Sequence, residues 1–280
     1  MIDLSKIQEA KKLLKQYFGY DEFRQGQEQL IEAALNGQDV LGIMPTGAGK
    51  SLCFQIPALM MDGITLVISP LISLMNDQVG TLTQAGIHAA FLNSSLTQGQ
   101  YHTALKYAMQ GRYKIIYVAP ERLETEGFIN FALNSGVKIS MLAVDEAHCV
   151  SQWGQDFRPS YLKILEFLKK LPYRPVLTAY TATATAEVRD DIMDILNLRD
   201  PFVLTTGFDR ENLYYAVKRP RDKYRELLSY LKEKGEFSEI NKQAKYNLET
   251  IDVPKGASFK TLASTLNMSR KKKKNINKHI

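Results

Sequence analysis

The sequence predicts an α/β protein: a mostly parallel sheet flanked by helices. Three observations predict it. Short, continuous apolar runs rich in Val, Ile and Leu recur through residues 1–205, as in strands buried on both faces. Amphipathic stretches with helical spacing lie between these runs, so strand and helix alternate as in βαβ crossovers. A glycine-rich segment follows the first apolar run directly and opens a helical stretch, the order that a phosphate-cradling loop requires.

Taken in chain order, Leu4, Ile7, Leu14 and Phe18 recur near helical spacing until Gly19, which predicts a helix packed on the sheet. Strands are expected over residues 39–44, 64–69, 88–92, 114–118, 140–144, 176–181 and 202–205. Helices are expected over 27–35, 52–61, 71–84, 96–109 and 186–196. From residue 207 the character changes to a linker, a short strand over 213–217 and a helix over 224–231. The expected organisation is therefore one domain over 1–205, the start of a second over 206–238, and a basic tail over 239–280.

Composition narrows the function classes. The chain has 280 residues, of which 45% are hydrophobic, so disorder of the whole is excluded. No apolar run reaches the roughly 18 residues of a membrane span. The first 15 residues mix Asp3, Glu9 and four lysines into their apolar positions, unlike a signal peptide. A cytoplasmic protein without a membrane partner is expected. Cys53 and Cys149 are the two cysteines, too few for a disulfide framework or a four-thiolate site, so no zinc is expected. The net charge of +6 invites a nucleic-acid reading. Its location removes that argument: residues 1–235 hold 26 basic and 26 acidic side chains, and residues 236–280 hold 10 against 4.

The run Met44-Pro45-Thr46-Gly47-Ala48-Gly49-Lys50-Ser51 carries the first chemistry. Glycines let backbone N–H groups turn inward around phosphate oxygens, Lys50 reaches the β and γ phosphates, and the Ser51 hydroxyl ligates magnesium. Met44 stands where the common pattern has its first glycine. Alone, the run also reads as a glycine turn capping a helix. The second run, Asp145-Glu146-Ala147-His148, ends an apolar strand, at the sheet edge where parallel α/β folds bind ligands. There Asp145 can hold magnesium and Glu146 can orient and deprotonate the attacking water. Together the runs predict a core that hydrolyses ATP or GTP, with Lys50, Asp145 and Glu146 catalytic.

Further runs complete a pattern. Phe18-Gly19-Tyr20, Phe23-Arg24-Gln25-Gly26-Gln27, the phosphate loop, Ser69-Pro70-Leu71-Ile72-Ser73-Leu74-Met75, Ala119-Pro120-Glu121-Arg122-Leu123, the paired acids and Thr181-Ala182-Thr183 resemble the ordered motifs of RecQ-family DNA helicases. The resemblance implies a RecA-like P-loop fold, with ATP and Mg2+ as cofactors. Single-stranded and duplex DNA are the implied partners. It further implies 3′ to 5′ translocation and roles in recombination and repair. Tyr20, Arg24 and Gln27 match the adenine-recognition positions; Thr46, Gly47, Ala48, Gly49, Lys50 and Ser51 match the phosphate loop, with Ser51 and Asp145 on magnesium. A glutamine amide can pair with the N6 donor and N7 acceptor of adenine.

The segment after the acids resembles the family's aromatic-rich loop, which senses single-stranded DNA. By resemblance, His148, Gln152, Trp153, Asp156, Phe157, Arg158, Thr181 and Thr183 bind DNA or couple it to hydrolysis. Trp153 and Phe157 offer faces for base stacking, although either ring also suits a core anchor of the loop. Gln155 stands where the family usually has His. Ser69 and Pro70 resemble a phosphate-backbone contact. The likeness runs through about residue 238 and then stops. The second-domain motifs, including an arginine that completes the ATP site, do not follow. Weak ATP hydrolysis without duplex unwinding is expected of this chain, the alternative being an ATP- and DNA-binding module with negligible turnover. An RNA-directed helicase is a further reading, opposed by the aromatic loop. The Lys- and Asn-rich end reads as a frameshifted or truncated tail, or as a weak helix-turn-helix over 259–276. No oligomeric state follows from the sequence.

Overall fold

A computed structural model describes residues 4–154, 156–207, 219–222, 225–226 and 229–230. The chain divides into two compact units, Met1–Asp209 and Arg210–Ile280. The first contains a seven-stranded sheet of order β3-β4-β2-β5-β6-β1-β7, in which every neighbouring pair runs parallel. Its strands are β1 (Val40–Ile43), β2 (Ile64–Ile68), β3 (Ala89–Leu92), β4 (Ile115–Val118), β5 (Ile139–Val144), β6 (Val176–Thr181) and β7 (Phe202–Thr205). All seven fall within the expected runs or one residue beyond them.

Successive strand side chains point to opposite faces, and the core divides accordingly. Val40, Val67, Met141 and Ala143 pack with α2 (Gln27–Leu35), α3 (Leu52–Met60) and α4 (Ile72–Gln84). Leu41, Ile43, Leu66, Ile68, Leu142 and Val144 pack on the other face with α5 (Gln98–Met109), α6 (Glu126–Asn134), α7 (Lys163–Lys170) and α8 (Ala186–Ile195). The helix expected from the amino-terminal spacing is α1 (Leu4–Leu13), continued by a wider π turn, Leu14–Phe18. Ala10 and Leu14 bury it against Ile31 of α2 and Ile56 of α3. Gly19, at φ 75°, ends the turn.

The expected strand start at residue 39 is a polar anchor instead. Asp39 is 2% exposed. Its carboxylate accepts from Arg174 Nη1 at 2.9 Å, from Arg174 Nη2, from Leu177 N at 3.0 Å and from Arg199 N at 2.7 Å. A buried carboxylate is tolerated when its lone pairs are filled in this way. The bonds tie the entrance of β1 to the entrance of β6 and to the turn before β7. The strand expected over 213–217, half of the helix over 224–231 and the basic tail fall outside the described residues.

Candidate active site

The carboxyl ends of β5, β6 and β1 are adjacent in the sheet, and the predicted chemistry converges there. The phosphate loop leaves β1 and turns at Gly47 and Gly49, both at φ 83°, a left-handed conformation that only glycine adopts cheaply. A side chain at Gly49 would also meet Gln27 Nε2 at 2.5 Å. Met44, where the common motif has glycine, is fully buried, and its N–H donates to Thr181 O at 2.9 Å. The loop is thereby fastened to the end of β6. Lys50 Nζ donates to Met44 O at 3.3 Å, a weak bond that a phosphate oxygen can replace.

Gln27, the first residue of α2, is 1% exposed. Its Nε2 donates to Ala48 O at 3.1 Å and Gly49 O at 3.0 Å, and its Oε1 accepts from Arg24 N at 2.8 Å. Arg24 Nη1 in turn donates to Gly47 O. The pair therefore braces the phosphate loop from beneath. A cavity of about 220 Å³ opens beside it, lined by Tyr20, Arg24, Gln27, Gly49, Ser51 and Gln55 among others. Tyr20 is half exposed at its mouth. Thr46 and Gly47 lie exposed at the loop tip, with Ala48, Lys50 and Ser51 half-buried.

Asp145 follows β5 and is 7% exposed. Burial, and next the charge of Glu146, push its carboxyl up to about 6, against the Glu146 N–H and Lys50, which favour the anion. Its Oδ1 accepts that N–H at 3.0 Å, and its own backbone is held by Ile68 O and the Tyr161 hydroxyl. Glu146 adopts φ 49°, a left-handed conformation unusual for a non-glycine residue, and this turns its side chain toward His148. His148 Nδ1 lies 2.9 Å from Thr181 Oγ1 and 3.4 Å from Glu146 Oε2. A buried, under-compensated carboxylate beside a glycine cradle and a lysine suits magnesium and a nucleoside triphosphate. Asp145 and the Ser51 hydroxyl would hold the metal.

The aromatic loop folds back over this turn. Arg158 N donates to Cys149 O at 2.9 Å, Trp153 N to Ser151 Oγ at 3.1 Å, and Ser151 Oγ to Asp191 Oδ2 at 2.7 Å. Trp153 is 78% exposed, so its ring is no core anchor. Phe157 is half-buried, and Gln152 and Asp156 are exposed. Arg158 donates to Pro70 O at 3.2 Å and to Asp156 Oδ2 at 3.1 Å, joining the loop to the start of α4. Gln155 lies outside the described residues. Thr181 Oγ1 donates to Thr183 O at 3.1 Å, while Thr183 itself is exposed.

The expected Ser69 contact needs correction. Its side chain is fully buried with an unpartnered hydroxyl, just past the end of β2, where its N–H donates to Val118 O at 3.3 Å. The exposed residues that follow are Leu71, Ile72 and Ser73. Sequence reasoning did not single out Arg122 individually. It donates to Asn93 O at 3.0 Å and lies over the Tyr101 ring at 4.8 Å. It lines a hollow with Leu96, Gln98 and His102.

A parallel sheet of this order, with a phosphate loop after β1 and paired acids after β5, defines the class of P-loop nucleotide-binding domains. Residues 24–192 match the DEAD/DEAH box helicase family, and the chain belongs to it. Within that family it is 46% identical over 226 residues to the ATP-dependent DNA helicase RecQ of Bacillus subtilis, covering 80% of this chain and 38% of that protein. It is also 46% identical over 252 residues to RecQ of Haemophilus influenzae, covering 89% of this chain and 40% of that one. The chain thus spans well under half the length of these relatives. The fold resembles the crystal structure of the DUF1998 helicase MrfA bound to DNA, with a TM-score of 0.56, 18% identity, and coverage of 72% of this chain and 29% of that one.

Proposed function

We propose that this chain carries the first motor domain of a RecQ-type helicase, binding ATP at the phosphate loop and hydrolysing it under the control of single-stranded DNA. In the whole protein this drives 3′ to 5′ unwinding in recombination and repair, in the cytoplasm. Support for the ATP reading comes from the braced loop, the buried Asp145 and the cavity at Tyr20. Lys50 neutralises phosphate charge, and Glu146 orients the attacking water and takes its proton. Magnesium, when bound, supplies charge neutralisation across the phosphate oxygens. Tyr20 and Arg24 flank the base, and Gln27, its amide engaged by the loop carbonyls, holds the loop in its phosphate-binding shape.

The observation that carries the coupling is the bond from His148 to Thr181, two residues from the catalytic Glu146. It links the acid turn to the end of β6, while Arg158 links the same turn's loop to Pro70. A base stacking on exposed Trp153 pulls on this connected unit. The test is ATP hydrolysis by the purified chain, with single-stranded DNA and RNA of the same sequence in competition. Stimulation by DNA that RNA does not match is expected; equal stimulation would support the RNA-directed reading instead.

A further inference from the structure

We propose that His148, Cys149 and Asp156 form a binding site for a divalent cation of the zinc class, separate from the magnesium site. Ligand atoms of the three side chains lie within 4.8 Å of one another. The hydrogen bonds decide which imidazole nitrogen is available. Thr181 Oγ1 gives its proton to Thr183 O at 3.1 Å, so toward His148 it can only accept. His148 therefore carries its proton on Nδ1, and Nε2 presents a lone pair. That lone pair has Cys149 Sγ at 3.9 Å. Across a tetrahedral zinc, ligand distances of about 2.0 Å to nitrogen and 2.3 Å to sulfur place the two roughly 3.5 Å apart. A shift of a few tenths of an ångström converts the pair into two metal ligands.

The third ligand and the outer shell are also in place. Arg158 occupies Asp156 Oδ2, which leaves Oδ1 for a metal, and the exposed position of Asp156 opens the entry path. Glu146 Oε2, 3.4 Å from His148 Nδ1, supplies the carboxylate–histidine support common around bound metals. The loop is clasped over the site because Gly154 packs on the His148 carbonyl, where a Cβ would sit 2.4 Å from its oxygen. One nitrogen, one sulfur and one oxygen suit zinc over magnesium, which prefers oxygen alone. Binding releases the Cys149 thiol proton to solvent, and water fills the fourth position. The bound cation ties the aromatic loop to the acid turn.

Cobalt(II) is the probe, because a thiolate ligand gives it a near-ultraviolet charge-transfer band. The purified chain is expected to develop the band to saturation at one equivalent, and zinc to bleach it. Cys53→Ser should keep the band, since Cys53 lies beside Met44 Sδ in the core. Cys149→Ser should lose it. Asp156→Asn, at an exposed position, should weaken cobalt binding about tenfold or more, as should Thr181→Val in the outer shell. No band in the wild type, or a band that survives in Cys149→Ser, overturns the site. A second readout rests on the proposed function: zinc at saturation should abolish the DNA-stimulated part of ATP hydrolysis. Stimulation that persists at a zinc concentration that bleaches the cobalt band refutes the tethering and leaves the site standing.

Discussion

Replacing Asp145 by Asn should stabilise the magnesium-free protein while removing its activity. The wild-type carboxyl is raised from 3.8 to about 6, chiefly by burial and then by Glu146. At about 1.4 kcal/mol per pH unit, holding Asp145 ionised in the free fold costs about 3 kcal/mol. The sign follows from the raised folded value. Below pH 3.8 the group is protonated in both states. As pH rises towards about 6 the unfolded chain ionises first, so wild-type stability falls across that window and then levels off. Asn cannot ionise, and its oxygen can still accept the Glu146 N–H. Denaturant unfolding followed by circular dichroism, with metal removed, should show a stability difference between variant and wild type that grows by about 3 kcal/mol from pH about 3 to about 7. Added magnesium and nucleotide should restore the wild type and not the variant. A difference that does not change with pH would refute the account of Asp145 as an under-compensated buried anion.

Three further changes test other parts of the site. Glu146→Gln should leave ATP binding intact and slow hydrolysis by about 10²- to 10⁴-fold, read from single-turnover rates. Trp153→Ala should change stability by less than about 0.5 kcal/mol, because the ring is exposed, yet abolish stimulation of hydrolysis by DNA. Gly49→Ala should destabilise the fold by about 1–3 kcal/mol through its positive φ and its approach to Gln27, and weaken ATP affinity in a binding titration.

The strands were legible because parallel strands between two helical layers are apolar along most of their length. β2, β4 and most of β5 are buried along their whole length, and no alternation confuses the signal. The phosphate loop and acids were legible because their spacing relative to strands is local. What stayed hidden depends on contacts between distant segments. Nothing near Gln27 in sequence shows that its amide is spent on loop carbonyls 21 and 22 residues away. Ser69 resembles a phosphate-backbone contact in sequence, and its burial follows only from the assembled sheet. Trp153 fits either a core or a surface role by type, and only the fold of its loop decides for solvent. The alignment of His148 with Thr181 requires β5 and β6 to be neighbours, a fact of sheet order that local pattern does not carry.

ATP hydrolysis by the purified chain, with and without single-stranded DNA, compared with Lys50→Ala, tests the central claim most directly. A slow basal rate that rises with DNA and disappears in Lys50→Ala is the expected result. Hydrolysis that ignores DNA, or that survives without Lys50, would contradict it.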